Sequence, residues 1–325
     1  MDIKNSYTAA DSLPTKLIRN YRLTEIITNR KIIPPVHVQW IPTNKCNLNC
    51  EFCSCSKDDR KTEMNIDDAG AIIAQLGELG TKAVTVTGGG EPLLYPYLQR
   101  LLWSFALSGI QIGLVTNGLL LKKQSEALKC VAWCRISNDD NRSLTSKYRD
   151  DLSEVVNLRP NVDWAFSHVV SANPNIDEIQ RVVEFANKHE FTHVRLVADL
   201  FHPEAVNMGS VRLDLLQRGV DDRLVIYQPR NEPKKGGDCY ICYLKPVIGA
   251  DCKVYACCGV QYALDAPLNK YMPDELCLGS AFDITKIIMA SNRPFNGHIC
   301  KRCYYENYNI ALKMLLSDVD HELFA

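Results

Sequence analysis

Fourteen cysteines in 325 residues are the first chemical feature of this chain, too many for ordinary usage and too few for a small disulfide scaffold. Cys46, Cys50, Cys53 and Cys55 share one short segment. Cys239, Cys242, Cys252, Cys257, Cys258, Cys277, Cys300 and Cys303 fall in the C-terminal third, with only Cys130 and Cys134 between the groups. Disulfides are rare in a reducing compartment, so clustered thiols point to metal or iron–sulfur ligation. Cys46-Asn-Leu-Asn-Cys50-Glu-Phe-Cys53 is the sharpest pattern. Three thiolates on one tight loop can ligate three irons of a [4Fe–4S] cube and leave the fourth without a protein ligand, as catalytic zinc keeps an open position. The competing chemistry is a zinc knuckle, with Cys55 as its fourth ligand.

A second motif, Thr87-Gly88-Gly89-Gly90-Glu91-Pro92, could receive a ligand, because glycine permits close backbone approach and Glu91 offers an acceptor to an ammonium. Asn117, within Thr116-Asn117-Gly118, and Ser137 and Asp139, within Ser137-Asn138-Asp139, offer polar groups at later strand ends. Both tripeptides are also ordinary turn chemistry. Arg195, inside VRLVAD, has the charge to meet a carboxylate, or to form a structural salt bridge.

The elements that must position these residues alternate. β-branched or apolar runs at 37–42, 82–88, 111–116, 131–137, 164–170 and 192–198 read as strands. Between them the spacing predicts helices, the clearest opening at Asn65 and presenting Ile66, Ala69, Ile72, Ile73, Leu76 and Leu79 on one face until Gly80. Others are expected over roughly 96–108, 121–130 and 175–189. Six strands separated by helices imply a parallel α/β sheet with ligands at the strand C-terminal ends, an incomplete six-unit barrel rather than a closed eightfold one. Past residue 200 the alternation fades. RNEPKKGGD (230–238) reads as a linker, VIGADCKVYAC (247–257) as a hairpin, and 304–318 as a last helix. The expected divisions are an extension over 1–36, a core over 37–230 and a cysteine-rich domain over 231–325.

A net charge of −1 gives no global field for nucleic acid or an anionic membrane. No apolar run approaches the ~18–20 residues of a membrane span. The N-terminus lacks a signal-peptide core, so a cytoplasmic protein is expected.

The cysteine loop followed by the glycine motif, each after a strand, resembles the radical S-adenosylmethionine (SAM) superfamily over about 37–200. That resemblance implies that Cys46, Cys50 and Cys53 hold a [4Fe–4S] cluster whose open iron binds the amino and carboxylate groups of SAM. The reduced cluster then splits SAM into methionine and a 5′-deoxyadenosyl radical, which takes a hydrogen from the substrate. It implies further that Phe52 packs near adenine, that Gly89, Gly90 and Glu91 receive the amino group, and that Asn117, Ser137, Asp139 and Arg195 are candidate SAM contacts. A flavodoxin- or ferredoxin-type protein would be the electron donor.

Cys239 and Cys257 flank the hairpin, Leu278-Gly279-Ser280 follows, and Cys300-Lys-Arg-Cys303 precedes the last helix. This order resembles the twitch domain, the shorter relative of the SPASM domain, and implies a second, auxiliary [4Fe–4S] cluster on Cys239, Cys257, Cys300 and Cys303. Cys242 is the alternative first ligand, and a zinc ribbon from Cys239/Cys242 and Cys300/Cys303 is the alternative site. Where glycine is usual in the hairpin, this chain has Cys252. The resemblance leads to a small-molecule oxidation with the auxiliary cluster as electron acceptor, ahead of epimerisation with Cys55 or Cys252 donating hydrogen, and of peptide modification. A non-catalytic electron-transfer or zinc protein is the alternative outside this chemistry.

Overall fold

A computed structural model describes residues 16–17, 19–56, 59–230, 234–264 and 272–318. Each anticipated strand forms: β1 (His37–Trp40), β2 (Ala83–Val86), β3 (Gln111–Thr116), β4 (Val131–Asp139), β5 (Asp163–Val170) and β6 (His193–Ala198). They pair in sequence order and in parallel. β7 (Val225–Gln228), which the sequence reading left out, adds a seventh parallel strand beside β6. It lies past residue 200, where the alternation of apolar runs and helices fades, and pairs only with β6 at the sheet edge.

After α1 (Tyr21–Arg30), the helices between these strands cover one face of the sheet. α2 (Ile66–Glu78) starts where Asn65 accepts a hydrogen bond from the Asp67 amide at 2.8 Å, and buries Ile66, Ala69, Ile72, Ile73 and Leu76. Gly80, at φ +80°, turns the chain toward β2. α3 (Leu98–Leu107) packs Phe105 edge-on against Trp40 of β1, ring centres 5.1 Å apart. The helix expected near 121–130 is a 3₁₀ turn, Ser125–Cys130. α4 (Ser146–Leu158) was not anticipated. Its polar composition hides the apolar set Leu152, Val155 and Val156, and Thr145 caps it. α5 (Ile176–Lys188) sets Phe185 against Phe166 of β5, which fixes the helix-covered face of the sheet. α6 (Met208–Gln217) leads into β7.

The C-terminal third continues this sheet. After β8 (Asp238–Cys239) and the short α7 (Ile241–Leu244), β9 (Val247–Ile248) pairs in parallel with the free side of β1. β10 (Lys253–Tyr255) and β11 (Cys277–Ser280) then add antiparallel. The result is one ten-stranded sheet ordered β11-β10-β9-β1-β2-β3-β4-β5-β6-β7. In the β9–β10 turn Cys252 has φ +57°, the conformation glycine favours, at the position flagged as unusual. α8 (Ile284–Met289) and β12 (Phe295–Asn296), which pairs with β8, precede the last helix, α9 (Glu306–Leu316). Among the described residues no helix is long and apolar enough to cross a membrane.

Candidate active site and metal centres

The C-terminal ends of β1 to β4 lie side by side, with Trp40 opposite Val86, Val86 opposite Leu114, and Thr116 opposite Ile136. The segments leaving them carry the cysteine loop, the glycine motif, Asn117 and Asp139. Backbone bonds join the first two: the Gly90 amide donates to Thr43 O at 3.0 Å and the Glu91 amide to Lys45 O at 2.7 Å. A Cβ at Gly90 would overlap the Lys45 carbonyl, so glycine is required where the glycine motif passes beneath the cysteine loop.

Glu91 is 2% exposed and points into the protein. Oε1 accepts from Thr116 Oγ1 at 2.5 Å and from the Leu93 amide at 3.0 Å, and Oε2 accepts from the Asn117 amide at 2.7 Å. Burial pushes its pKa up, and these donors oppose that rise. The carboxylate expected to meet an ammonium is therefore engaged in fixing the ends of β2 and β3. Asn117 is similarly committed, its Nδ2 donating to Asn47 Oδ1 of the cysteine loop at 2.7 Å. Gly118, at φ +81°, leaves the space that the Tyr148 hydroxyl occupies.

Cys46, Cys50 and Cys53 are part-exposed on their loop, and the Leu48 amide donates to Cys46 Sγ at 3.4 Å. Burial chiefly, and Asp139 next, push Cys50 up to about 11. Arg142, unmarked by any sequence motif, also acts on Cys50 and on Glu91. Its Nε donates to Asn138 Oδ1 at 2.8 Å and its Nη1 to Asn117 O at 3.1 Å, which aims one guanidinium at this mouth. Only the tertiary contacts distinguish it from the other arginines. Phe52 is part-exposed on the loop. Ser137 stands opposite Ser167, and Ser167 opposite Arg195. Arg195 donates to Ser167 Oγ through Nε at 3.2 Å and Nη2 at 2.9 Å. Thus Arg142 stands at the cysteine end of the site and Arg195 two strands farther along, on β6.

The second group of thiols surrounds a small cavity, partly open to solvent, lined by Cys239, Cys257, Cys300 and Cys303. Cys242 is absent from the lining. It is fully buried, with Sγ turned to Cys239 O at 3.3 Å. Close backbone crossings shape the cavity: a Cβ at Gly236 would overlap Gly297 O, and one at Gly297 would overlap Gly237 O. Lys234 and Cys303 exchange two backbone bonds, and β8 pairs Cys239 with Phe295 of β12. Burial pushes both Cys257 and Cys303 thiols up, and amides that donate to Cys257 Sγ (from Gly259, 3.3 Å) and to Cys303 Sγ (from Tyr305, 3.4 Å) oppose that rise.

The remaining thiols sit elsewhere. Cys55 is buried within 4.0 Å of Gly88 O, beneath the glycine motif. Cys134 is buried in the core of β4, and Cys130 ends the 3₁₀ turn before it. Cys258 Sγ lies 2.7 Å from the Tyr305 hydroxyl, and Cys277 Sγ bonds to Gly279 O at 3.6 Å. Ser54 Oγ donates to Gln261 Oε1 at 2.5 Å, so a side-chain bond ties the first cysteine loop to the C-terminal segment.

The first three strand ends of this parallel α/β sheet thus carry a three-cysteine loop, a glycine turn with a buried glutamate, and a polar turn. Residues 40–137 match the model of the radical SAM superfamily. The chain is 30% identical over 172 residues to GTP 3′,8-cyclase of Chlorobaculum tepidum, covering 48% of this chain and 51% of that protein, about half of each. Among solved structures it resembles Streptococcus suis SuiB bound to the precursor peptide SuiA, with TM-score 0.55 and 18% identity over 82% of this chain and 70% of the other. It also resembles native anSMEcpe with bound AdoMet and the Cp18Cys peptide, with TM-score 0.55 and 15% identity over 88% and 85% of the two chains. These likenesses bear out the parallel α/β fold.

Proposed function

We propose that this chain is a radical SAM oxidase of a small-molecule substrate, using two iron–sulfur clusters. The observation that carries the reading is the sorting of the eight C-terminal cysteines. Four of them, separated by up to 64 positions, line one cavity, and the other four do not. Four ligands close a cluster and suit it to accepting an electron, whereas three leave an iron open for SAM. Among the described residues no three His, Cys, Asp or Glu side chains converge on a single-ion site, and a four-iron cube takes ligands standing farther apart than one zinc does.

Cys46, Cys50 and Cys53 would hold the SAM-binding cluster, and Cys239, Cys257, Cys300 and Cys303 the auxiliary one. A cluster held there, with SAM, would supply 5′-deoxyadenosyl radical chemistry for taking a substrate hydrogen. The chain's own residues bind and orient. Because Glu91 already accepts three bonds, its role is to hold the 88–91 turn so that the turn's backbone meets the SAM amino group. Arg142 would take the methionine carboxylate, and Ser137 and Asp139 the ribose. A flavodoxin- or ferredoxin-type protein is the proposed electron donor.

Peptide modification is the second reading, favoured by the likeness to two structures that hold peptides. The test is to supply the reduced, reconstituted protein with SAM and with deuterated small-molecule or peptide pools. 5′-Deoxyadenosine carrying deuterium from one pool identifies the substrate class. Protein that forms no 5′-deoxyadenosine with any pool would remove the enzymatic reading.

A further inference from the structure

The face of the sheet turned away from the helices carries arginines that form no ion pair among the described residues. Register places Arg135 opposite Ala165, and Ser137, Ser167 and Arg195 in one row above it, on adjacent strands. Phe166, between Ala165 and Ser167 on β5, packs on α5, so its neighbours in sequence point the other way. Among the described residues neither Arg135 nor Arg195 forms an ion pair, and the buried Nε of Arg135 has no hydrogen-bond partner. Arg195 spends two nitrogens on a single serine hydroxyl.

Both guanidiniums are positioned rather than loose. Arg135 lies over the Trp133 ring, its Cζ 5.5 Å from the ring centre, and Gly113 on β3 leaves the room in which that indole lies. Burial first, then the neighbouring Arg135 and Arg230, push Arg195 well below the usual arginine range. His193, in the row of Ala165, is pushed down to about 4 by burial and then by the same two arginines, Arg135 and Arg195. Both arginines are half-buried, and partly desolvated cations without a counter-ion favour an anion that binds between them. Across this face stand Cys258 and Tyr305 of the C-terminal segment, which act electrostatically on Arg135 and Arg195 respectively and adjoin the four-thiol cavity.

We infer that Arg135 and Arg195 form the substrate-anion site, and that the anion is a phosphate group of the substrate. Two planar guanidiniums, with a third from Arg230 nearby, match a multiply charged phosphoryl group in charge and fork geometry; a single carboxylate would leave most of that charge unopposed. Gln228 adds a buried Oε1 without a partner on the same face, one register step beyond Arg195 on β7, as an acceptor for a donor on the same substrate. This inference rests on the proposed SAM chemistry for its meaning but not for its measurement.

The experiment is calorimetric titration of the reconstituted two-cluster protein with inorganic pyrophosphate, inorganic phosphate and acetate in turn. Wild type is expected to bind pyrophosphate and phosphate, with affinity falling as salt rises, and to bind acetate at least tenfold more weakly. Arg135→Gln and Arg195→Gln should each weaken pyrophosphate binding tenfold or more, with iron content equal to wild type showing that the fold survives. Arg135→Lys and Arg195→Lys should retain part of the binding, which separates a lost ligand contact from a lost fold. Arg142→Gln should weaken SAM and leave the pyrophosphate constant unchanged. Acetate binding equal to phosphate, no anion binding by wild type, or full binding by both Gln variants would each overturn the assignment. Absence of 5′-deoxyadenosine would instead overturn the proposed reaction and leave the anion constants standing.

Discussion

Single side chains decide which thiols can be ligands. Cys239 and Cys242 are three positions apart and indistinguishable by spacing, yet only Cys239 reaches the cavity. Cys239→Ser is therefore expected to cost one cluster, about half of the iron, while Cys242→Ser keeps it, measured by iron and sulfide content after reconstitution. Equal loss from both would reopen the zinc ribbon. Glu91 offers a second test. Glu91→Gln sets an amide N–H against one of three donors, leaving a buried donor unsatisfied at a cost of about 1–3 kcal/mol, read by denaturant unfolding. If the carboxylate met an ammonium instead, the main loss would be in SAM affinity at unchanged stability.

At the scale of elements, β4 and β6 carry inner-face groups whose fit is tight. Gly113→Ala would put a methyl into the indole of Trp133, an overpacking expected to cost ~1–3 kcal/mol and to displace Arg135 with it. His193 gives a pH signature. Its folded pKa, about 4, lies below the ordinary 6.5, so the unfolded chain binds the proton first. Its contribution is fully present above about pH 6.5 and is lost as pH falls toward 4, on the order of 3 kcal/mol in all. Unfolding titrations at several pH values should therefore show a steeper acid loss for wild type than for His193→Gln. Parallel slopes would mean that the imidazole is not held neutral by this packing.

For the whole molecule, the extension of the core sheet by β9 to β11 makes the two thiol sets parts of one framework. The expectation is about eight irons per chain, falling to about half when Cys46, Cys50 and Cys53 are all changed to Ala. Cys53→Ala should abolish 5′-deoxyadenosine. Cys303→Ala should separate the steps, with 5′-deoxyadenosine formed and oxidised product missing. Oxidised product from a folded Cys303 variant would make the second cluster structural and bring epimerisation forward.

The sequence by itself determined what is local. A run of β-branched residues favours a strand wherever it lies, so β1 to β6 were legible, as were the cap at Asn65 and the three-cysteine loop. The spacing of Cys46, Cys50 and Cys53 is a property of one turn of chain. What depended on long-range pairing was not legible: β7 at the sheet edge, α4 with its sparse apolar stripe, and the joining of β9 to β1. The same holds for the site. Glycine at position 90 announces a close approach but not that Lys45 makes it. Arg142 and Arg135 look alike in the chain, and only the tertiary fold lets one act on Cys50 and sets the other one row from Arg195 on the sheet. Charge acts through space, so the potential that makes an arginine a receptor exists only after distant strands have met.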